Sequence, residues 1–262
     1  MERQASSLSV VSTGETPFGR DRQAASLPLF MSREVIRTKN FAADGTNFIL
    51  DQAHKAIADR NEFRIALSGG NTPRPVYTRL ATVARDLRWE SIRFTFGDER
   101  CVPPDDTQSN FRMARETLFA PAAIPQKSIM RMRGELDPQI AAQEYEDQLD
   151  LLARRCGEHI YRHDLILLGL GADGHTASLF PGTAGLEETT RRVIANFVPE
   201  LNSWRLTFTF SLINYARQIC FLVNATKNAE LIERVLGGDR QLPASRVVPA
   251  AGNVTWILGL SS

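Results

Sequence analysis

A chain of 262 residues, 43% hydrophobic and 23% charged, is long enough for one large α/β domain and has the composition of a globular protein. Lys+Arg 31 against Asp+Glu 30 leaves a formal charge of +1, which excludes bulk attraction to nucleic acid or an anionic membrane, so any anionic ligand must be met by local groups. Cys101, Cys156 and Cys220 are widely spaced with no CxxC pair, which argues against a disulfide framework or zinc cluster and fits a reducing cytoplasm; the longest apolar runs are strand-sized, so no transmembrane helix is expected.

Residues 1–32 are rich in Ser, Thr, Gly and Pro and lack both periodicity and the apolar core of a secretory signal, so they read as a flexible tail. From residue 33 onward the pattern is regular, without repeats or linkers, and 33–262 reads as a single catalytic domain. Strands are expected at 34–37, 63–67 and 92–96, with helices over 44–59 and from about 73 to 85 between them. A helix follows Ser109-Asn110 as far as about Phe119, and a long one spans 138–155. The run Leu165-Ile166-Leu167-Leu168 reads as a strand buried on both faces. Beyond it come strand-like stretches at 192–196 and 205–210, a short helix at 211–216, a strand at 219–223, a helix capped by Thr226 and ending at Leu236, and a last strand at 254–258. This alternation predicts an α/β fold: a three-layer α/β/α sandwich around a mostly parallel, Rossmann-like open sheet.

Three strands end in polar clusters, and in an open parallel sheet that edge is where ligands bind. Ser68-Gly69-Gly70-Asn71-Thr72 can curl so that successive N–H groups share one concavity, with Thr72 as helix cap and Pro73 at the first helical position; such a turn suits a phosphate. A nucleophile elbow at Ser68 is the rival reading, but that motif places its histidine late in the chain, and no histidine follows His175. Asp98 and Arg100 close the 92–96 strand, Arg100 suited to bidentate binding of an anion and Asp98 to holding hydroxyls or orienting Arg100. After Leu168, Gly169-Leu170-Gly171-Ala172-Asp173-Gly174 imitates a dinucleotide fingerprint, yet Pro181-Gly182 stops any following helix after two turns at most. His175, glycine-flanked and two residues after Asp173, is the candidate general base; His54, His159 and His163 read as ordinary structural histidines.

In this order, Ala66-Leu67-Ser68-Gly69-Gly70-Asn71-Thr72-Pro73, Phe96-Gly97-Asp98-Glu99-Arg100 with Ser109-Asn110, and the stretch from Gly169 through His175-Thr176-Ala177-Ser178-Leu179-Phe180-Pro181-Gly182 resemble the 6-phosphogluconolactonase family. Arg205-Leu206-Thr207 and the pattern around Pro243 and Trp256 are similar to it as well. The resemblance covers about residues 33–260 and implies the sugar-phosphate isomerase/deaminase fold and hydrolysis of 6-phospho-D-glucono-1,5-lactone in the oxidative pentose phosphate pathway, without metal or cofactor. It implies His175 as the base that activates water, with Asp173 orienting the imidazole or substrate hydroxyls. Substrate would be bound by Ser68, Gly69, Gly70, Asn71, Thr72, Asp98, Arg100, Ser109, Asn110, Gly171, Thr176 and Arg205. The expected partner is a small sugar phosphate, with no nucleic acid, membrane or obligate protein partner. Two alternatives stand beside it: a glucosamine-6-phosphate deaminase-like enzyme, and a catalytically weak sugar-phosphate binding protein. The chain departs from the family at Val198-Pro199-Glu200-Leu201, where Glu200 stands near a common ligand-contacting lysine, and at Thr226-Lys227-Asn228-Ala229, where a second lysine is displaced; Arg191, Arg192 or Arg205 would compensate.

Overall fold

The structure, a computed structural model, describes residues 33–84, 86–226 and 229–260; the expected tail at 1–32, and Lys227, lie outside the described residues. The elements run β1 (Arg33–Thr38), α1 (Phe41–Arg60), β2 (Phe63–Leu67), α2 (Arg74–Val83), β3 (Ile92–Phe96), β4 (Asp98–Arg100), α3 (Asn110–Ala114), α4 (Pro138–Arg155), β5 (Leu165–Leu168), β6 (Val193–Val198), β7 (Ser203–Phe208), α5 (Phe210–Ile213), β8 (Gln218–Asn224), α6 (Ala229–Leu236) and β9 (Asn253–Gly259). Six strands form a wholly parallel sheet in the order β1-β9-β8-β5-β2-β3. Side chains alternate across it. Ile65, Leu67, Leu165, Leu167, Cys220 and Leu222 join the core under α1, α2 and α3, whereas Ala66, Ile166, Leu168, Ile219, Phe221 and Val223 join the core under α4 and α6. Every position of β2 and β5 is buried, and all but Arg64 are apolar, as strands covered on both faces require. Trp256 on β9 lies flat on Phe221 of the neighbouring strand, ring centroids 3.9 Å apart.

Two expectations are corrected. First, the stretches at 192–196 and 205–210 are strands but do not join the parallel sheet; β6 and β7 pair antiparallel and, with β4, make a separate three-stranded sheet in the order β4-β7-β6. Second, Thr72 does not cap α2. Pro73 occupies the cap position with helical φ −78° and ψ −14°, and no side chain closes the turn. Pro73 and Pro75 carry no N–H, so fewer orphan donors remain for a cap to satisfy. Within the limit set by Pro181-Gly182, no helix forms between Gly174 and Pro181; the backbone there is tied down locally by Gly171 N–H to the His175 carbonyl at 2.9 Å and Leu179 N–H to the Thr176 carbonyl at 3.0 Å. The helix expected from Ser109-Asn110 to about Phe119 is present, as α-helix over Asn110–Ala114 and π-helix over Arg115–Phe119. Among the described residues no helix is long and apolar enough to cross a membrane.

Of the three histidines read as structural, His54 and His159 are exposed and His163 is fully enclosed. Thr95 Oγ1 lies 3.1 Å from the Ile65 carbonyl and 3.0 Å from His163 Nε2. Its single proton goes to the carbonyl, so Nε2–H must be the donor to Thr95. Burial, reinforced by the positive charge of Arg64, pushes the imidazole down to about 3. The folded state therefore holds His163 neutral where an unfolded chain would protonate it, below the ordinary value of 6.5. As pH falls through the window from 6.5 to about 3, this group progressively removes stability, because the unfolded chain binds a proton that the folded one does not. Denaturant unfolding of wild type and His163→Gln across that window is expected to show the wild type losing stability more steeply on acidification. Parallel curves would contradict the buried neutral imidazole.

Candidate functional site

The carboxyl ends of β2, β3 and β5 open on one cleft, of ≈ 380 Å³, at the place where the sheet order reverses between β2 and β5. Each strand delivers a different chemistry. Past β2, the Ser68 N–H donates to the Tyr77 hydroxyl at 3.1 Å, and that hydroxyl donates back to the Ser68 carbonyl at 3.0 Å, so a buried tyrosine of α2 fixes the turn. Gly70, at φ +84°, lets the chain curl, and the N–H groups of Gly69 and Gly70 face no acceptor among the described residues. Ser68 Oγ is also buried without a partner, and no histidine hydrogen-bonds to it, so nothing activates it as a nucleophile.

Past β3, neighbouring acids have separate tasks. Glu99, 2% exposed, accepts from the N–H groups of Arg100, Asn110 and Phe111 and from Ser109 Oγ, closing the N-terminus of α3. Burial pushes its carboxyl above the usual range, against the pull of those N–H donors. Asp98 lines the cleft instead. Its Oδ2 accepts from Ser178 Oγ at 2.7 Å and its Oδ1 from the Asn110 amide at 3.3 Å. Ser109 and Asn110 thus brace the cleft from behind and do not line it. Gly69 owes its place to the same bracing, because a Cβ there would run into the Asn110 amide.

Arg100 sits opposite Arg205 in the β4–β7 ladder, and both line the cleft. Neither pairs with a carboxylate among the described residues: Arg100 donates to the Gln108 carbonyl, and Arg205 to Ser203 Oγ and the Trp204 carbonyl. Burial, and then the neighbouring Arg100 charge, lower the Arg205 guanidinium below its ordinary value. Two adjacent cations without a protein anion form a ready seat for a dianion. Arg191 and Arg192 do not compensate for the missing lysines; they are held by Glu146 at 2.5 Å and Asp150 at 2.7 Å. Glu200 is exposed at the tip of the β6–β7 hairpin, and its neighbour Leu201 meets the cleft in its place.

Past β5, the Asp173 carboxylate accepts from the His175 N–H at 3.1 Å and lies 2.5 Å from His175 Nδ1. Burial alone would raise this carboxyl, but the hydrogen bonds from the His175 ring and backbone outweigh it and bring the carboxyl below its ordinary value. An ionised carboxylate only accepts, so Nδ1 carries the proton and Nε2 is left as the basic nitrogen. His175 lines the cleft, while Asp173 stands behind it. Thr176 is buried and donates to the Gly169 carbonyl at 2.9 Å, so it shapes the loop; Asn71 is exposed outside the cleft, whereas Thr72 and Gly171 line it. Gly174, at φ +82°, turns the loop back, and its carbonyl accepts from Ala244 N–H at 3.0 Å, pinning the loop to the C-terminal region. Sequence reasoning missed Ala177, Ser178, Phe180 and Leu201, all on the cleft wall. The signal for the first three was the same irregular loop that carries His175. Among the described residues no group of three or more His, Cys, Asp or Glu side chains is arranged to hold a metal ion.

Asn110→Ala is expected to lower unfolding stability by about 1–3 kcal/mol, the cost of stripping a buried amide from Asp98. An unchanged denaturation midpoint would contradict the bracing role.

Residues 37–256 match the family described as glucosamine-6-phosphate isomerases/6-phosphogluconolactonase. The 6-phosphogluconolactonase of Synechocystis sp. is 42% identical over 78% of this chain and 85% of its own length. That of Treponema pallidum is 39% identical over 65% of this chain and 71% of its own length. Among solved structures, 6-phosphogluconolactonase from Trypanosoma brucei superposes with a TM-score of 0.76 at 30% identity, covering 89% of this chain and 97% of that one. A monomeric glucosamine-6-phosphate deaminase shares the fold, with a TM-score of 0.72 at 20% identity over 86% of this chain and 97% of that one. The chain belongs to the glucosamine-6-phosphate isomerase/6-phosphogluconolactonase family.

Proposed function

We propose that this chain is a 6-phosphogluconolactonase, hydrolysing 6-phospho-D-glucono-1,5-lactone to 6-phospho-D-gluconate in the oxidative pentose phosphate pathway. The observation that carries this reading is a carboxylate-oriented imidazole and an unpaired arginine couple on the walls of one cleft. The lactonase relatives at 42% and 39% identity support it over the deaminase alternative. The cleft, at ≈ 380 Å³, has the size of a small-molecule site.

In the mechanism, the substrate phosphate lies against Arg100, Arg205 and the free N–H groups of Gly69 and Gly70, and sugar hydroxyls meet Asp98 and Ser68. His175 Nε2 takes a proton from water as the water oxygen bonds to the lactone C1. The imidazolium formed is stabilised by Asp173 through Nδ1–H. When the tetrahedral intermediate collapses, the C1–ring-oxygen bond breaks and Nε2 returns the proton to the departing ring oxygen, leaving a hydroxyl and a carboxylic acid that ionises. Every step uses water and these side chains. Residues 33–262 act as a single catalytic domain, without an obligate protein partner, in the cytoplasm, where the free thiols of Cys101, Cys156 and Cys220 stay reduced.

His175→Ala is expected to lower kcat by about 10²-fold or more, the scale of a positioned general base, while product binding persists; near-wild-type turnover would overturn the assignment. Arg205→Ala should raise KM by roughly tenfold or more, as loss of a charge-assisted contact does, with a smaller change in kcat. An unaltered KM would place the phosphate elsewhere. Turnover of glucosamine 6-phosphate at a rate comparable with the lactone would favour the deaminase reading.

A further inference from the structure

We propose that Phe180 and Gly171 form a slot for the His175 imidazole, which makes Phe180 a positioning residue for proton transfer at Nε2. This rests on His175 as the base. The Phe180 ring is stacked on the imidazole, centroids 3.9 Å apart and planes 24° apart. A Cβ built on Gly171 would fall 2.8 Å from Nε2 and closer still to Cε1 and Nδ1. Those three distances put Gly171 over a face of the ring. One face cannot hold both groups, so Phe180 covers one and Gly171 the other. Asp173 holds the Nδ1 edge. The Nε2 edge is left for the cleft.

The slot has anchored walls. Phe180 follows Leu179, which is fully buried, and its carbonyl accepts from the Thr183 N–H at 3.2 Å and hydroxyl at 2.8 Å. Thr183 Oγ1 in turn accepts from the Asn196 amide at 3.0 Å, which ties this wall to β6 of the antiparallel sheet. The Gly171 N–H donates to the His175 carbonyl at 2.9 Å, so the other wall is fixed to the residue it confines. Such confinement is needed because Asp173 is 45% exposed, and a hydrogen bond open to water holds a ring weakly. A stacked aromatic face restricts ring rotation whatever water does at the Asp173 edge. Gly171 therefore serves as a wall, and the resemblance of its loop to a dinucleotide fingerprint comes from the need for a residue without a Cβ beside the imidazole. Its φ is not positive, so the requirement is steric and not conformational.

The test compares Phe180→Leu, Phe180→Tyr and Gly171→Ala, each alone and in a His175→Ala background, by steady-state hydrolysis of the phosphorylated lactone with unfolding midpoints as a fold control. Phe180→Leu and Gly171→Ala are expected to lower kcat by about tenfold or more, as misplacement of a reacting group does, with KM within about twofold. Phe180→Tyr, which keeps the stacked face, should restore most of kcat. In the His175→Ala background neither Phe180→Leu nor Gly171→Ala should slow the enzyme further, because there is no ring left to place. Wild-type kcat in Phe180→Leu, or an equal loss with and without His175, would overturn the slot and assign Phe180 to substrate contact or general packing. If Phe180→Leu does not fold, Gly171→Ala decides the question by the same criteria. Undiminished turnover in His175→Ala alone would instead overturn the base assignment, an outcome distinct from failure of the slot.

Discussion

The parallel pairing of β2 with β5, Ile65 opposite Leu165 and Ala66 opposite Ile166, is the constraint on which the rest of the site depends. From this pair the chain builds outward in opposite directions, to β3 on one side and to β8 and β9 on the other. The connections leaving the two strands must diverge, and the gap between them is the cleft. The pair is held by burial on both faces, with no exposed residue in either strand. A rigid, fully covered pair of strands can present flexible-looking glycine loops at fixed positions. This is why the Ser68 turn and the His175 loop face one another with so little regular structure of their own.

Charge is distributed around that gap by pairing. Adjacent acids take separate tasks because one points back at the N-terminus of α3 and the other into the cleft: Glu99 is consumed by backbone donors, while Asp98 is held by Ser178 and Asn110. The arginines divide in the same way. Arg191 and Arg192 are neutralised by α4 carboxylates, whereas Arg100 and Arg205 are brought side by side by the β4–β7 ladder with no protein anion between them. With a net charge of only +1, the chain has no general field to draw in an anion, and this local concentration of unpaired cations is the feature of the cleft suited to one. The antiparallel sheet contributes Arg205 to the cleft, and through Asn196 it steadies the loop that carries Phe180.

Much of this was legible in the chain. The apolar runs of β2, β3 and β5 and the amphipathic helix α4 are bounded where hydrophobic pattern and proline punctuation put them. What pattern does not carry is pairing: β6 and β7 read as strands, but nothing in their residues says that they pair with each other and with Asp98-Glu99-Arg100 and not with the parallel sheet. Three consecutive charged residues carry no apolar alternation, which hid β4. The division within the site was equally invisible. Ser109 and Asn110 were expected at the substrate and stand behind Asp98, and Ser178 and Phe180, on the cleft wall, lie in an irregular loop without periodicity to mark them. His175 was legible because glycines isolate it past a buried strand. Its confinement was not, since stacking on Phe180 depends on how residues 176–179 fold back.

On the proposed function, the cleft holds a phosphate at the arginine couple and a lactone carbonyl carbon beside His175. A crystal structure with 6-phosphogluconate bound tests both ends at once. The phosphate is expected in contact with Arg100 and Arg205, and the product carboxylate within hydrogen-bond reach, about 3 Å, of His175 Nε2. A product lying the other way round, with its phosphate at His175 and its carboxylate at the arginines, would contradict it.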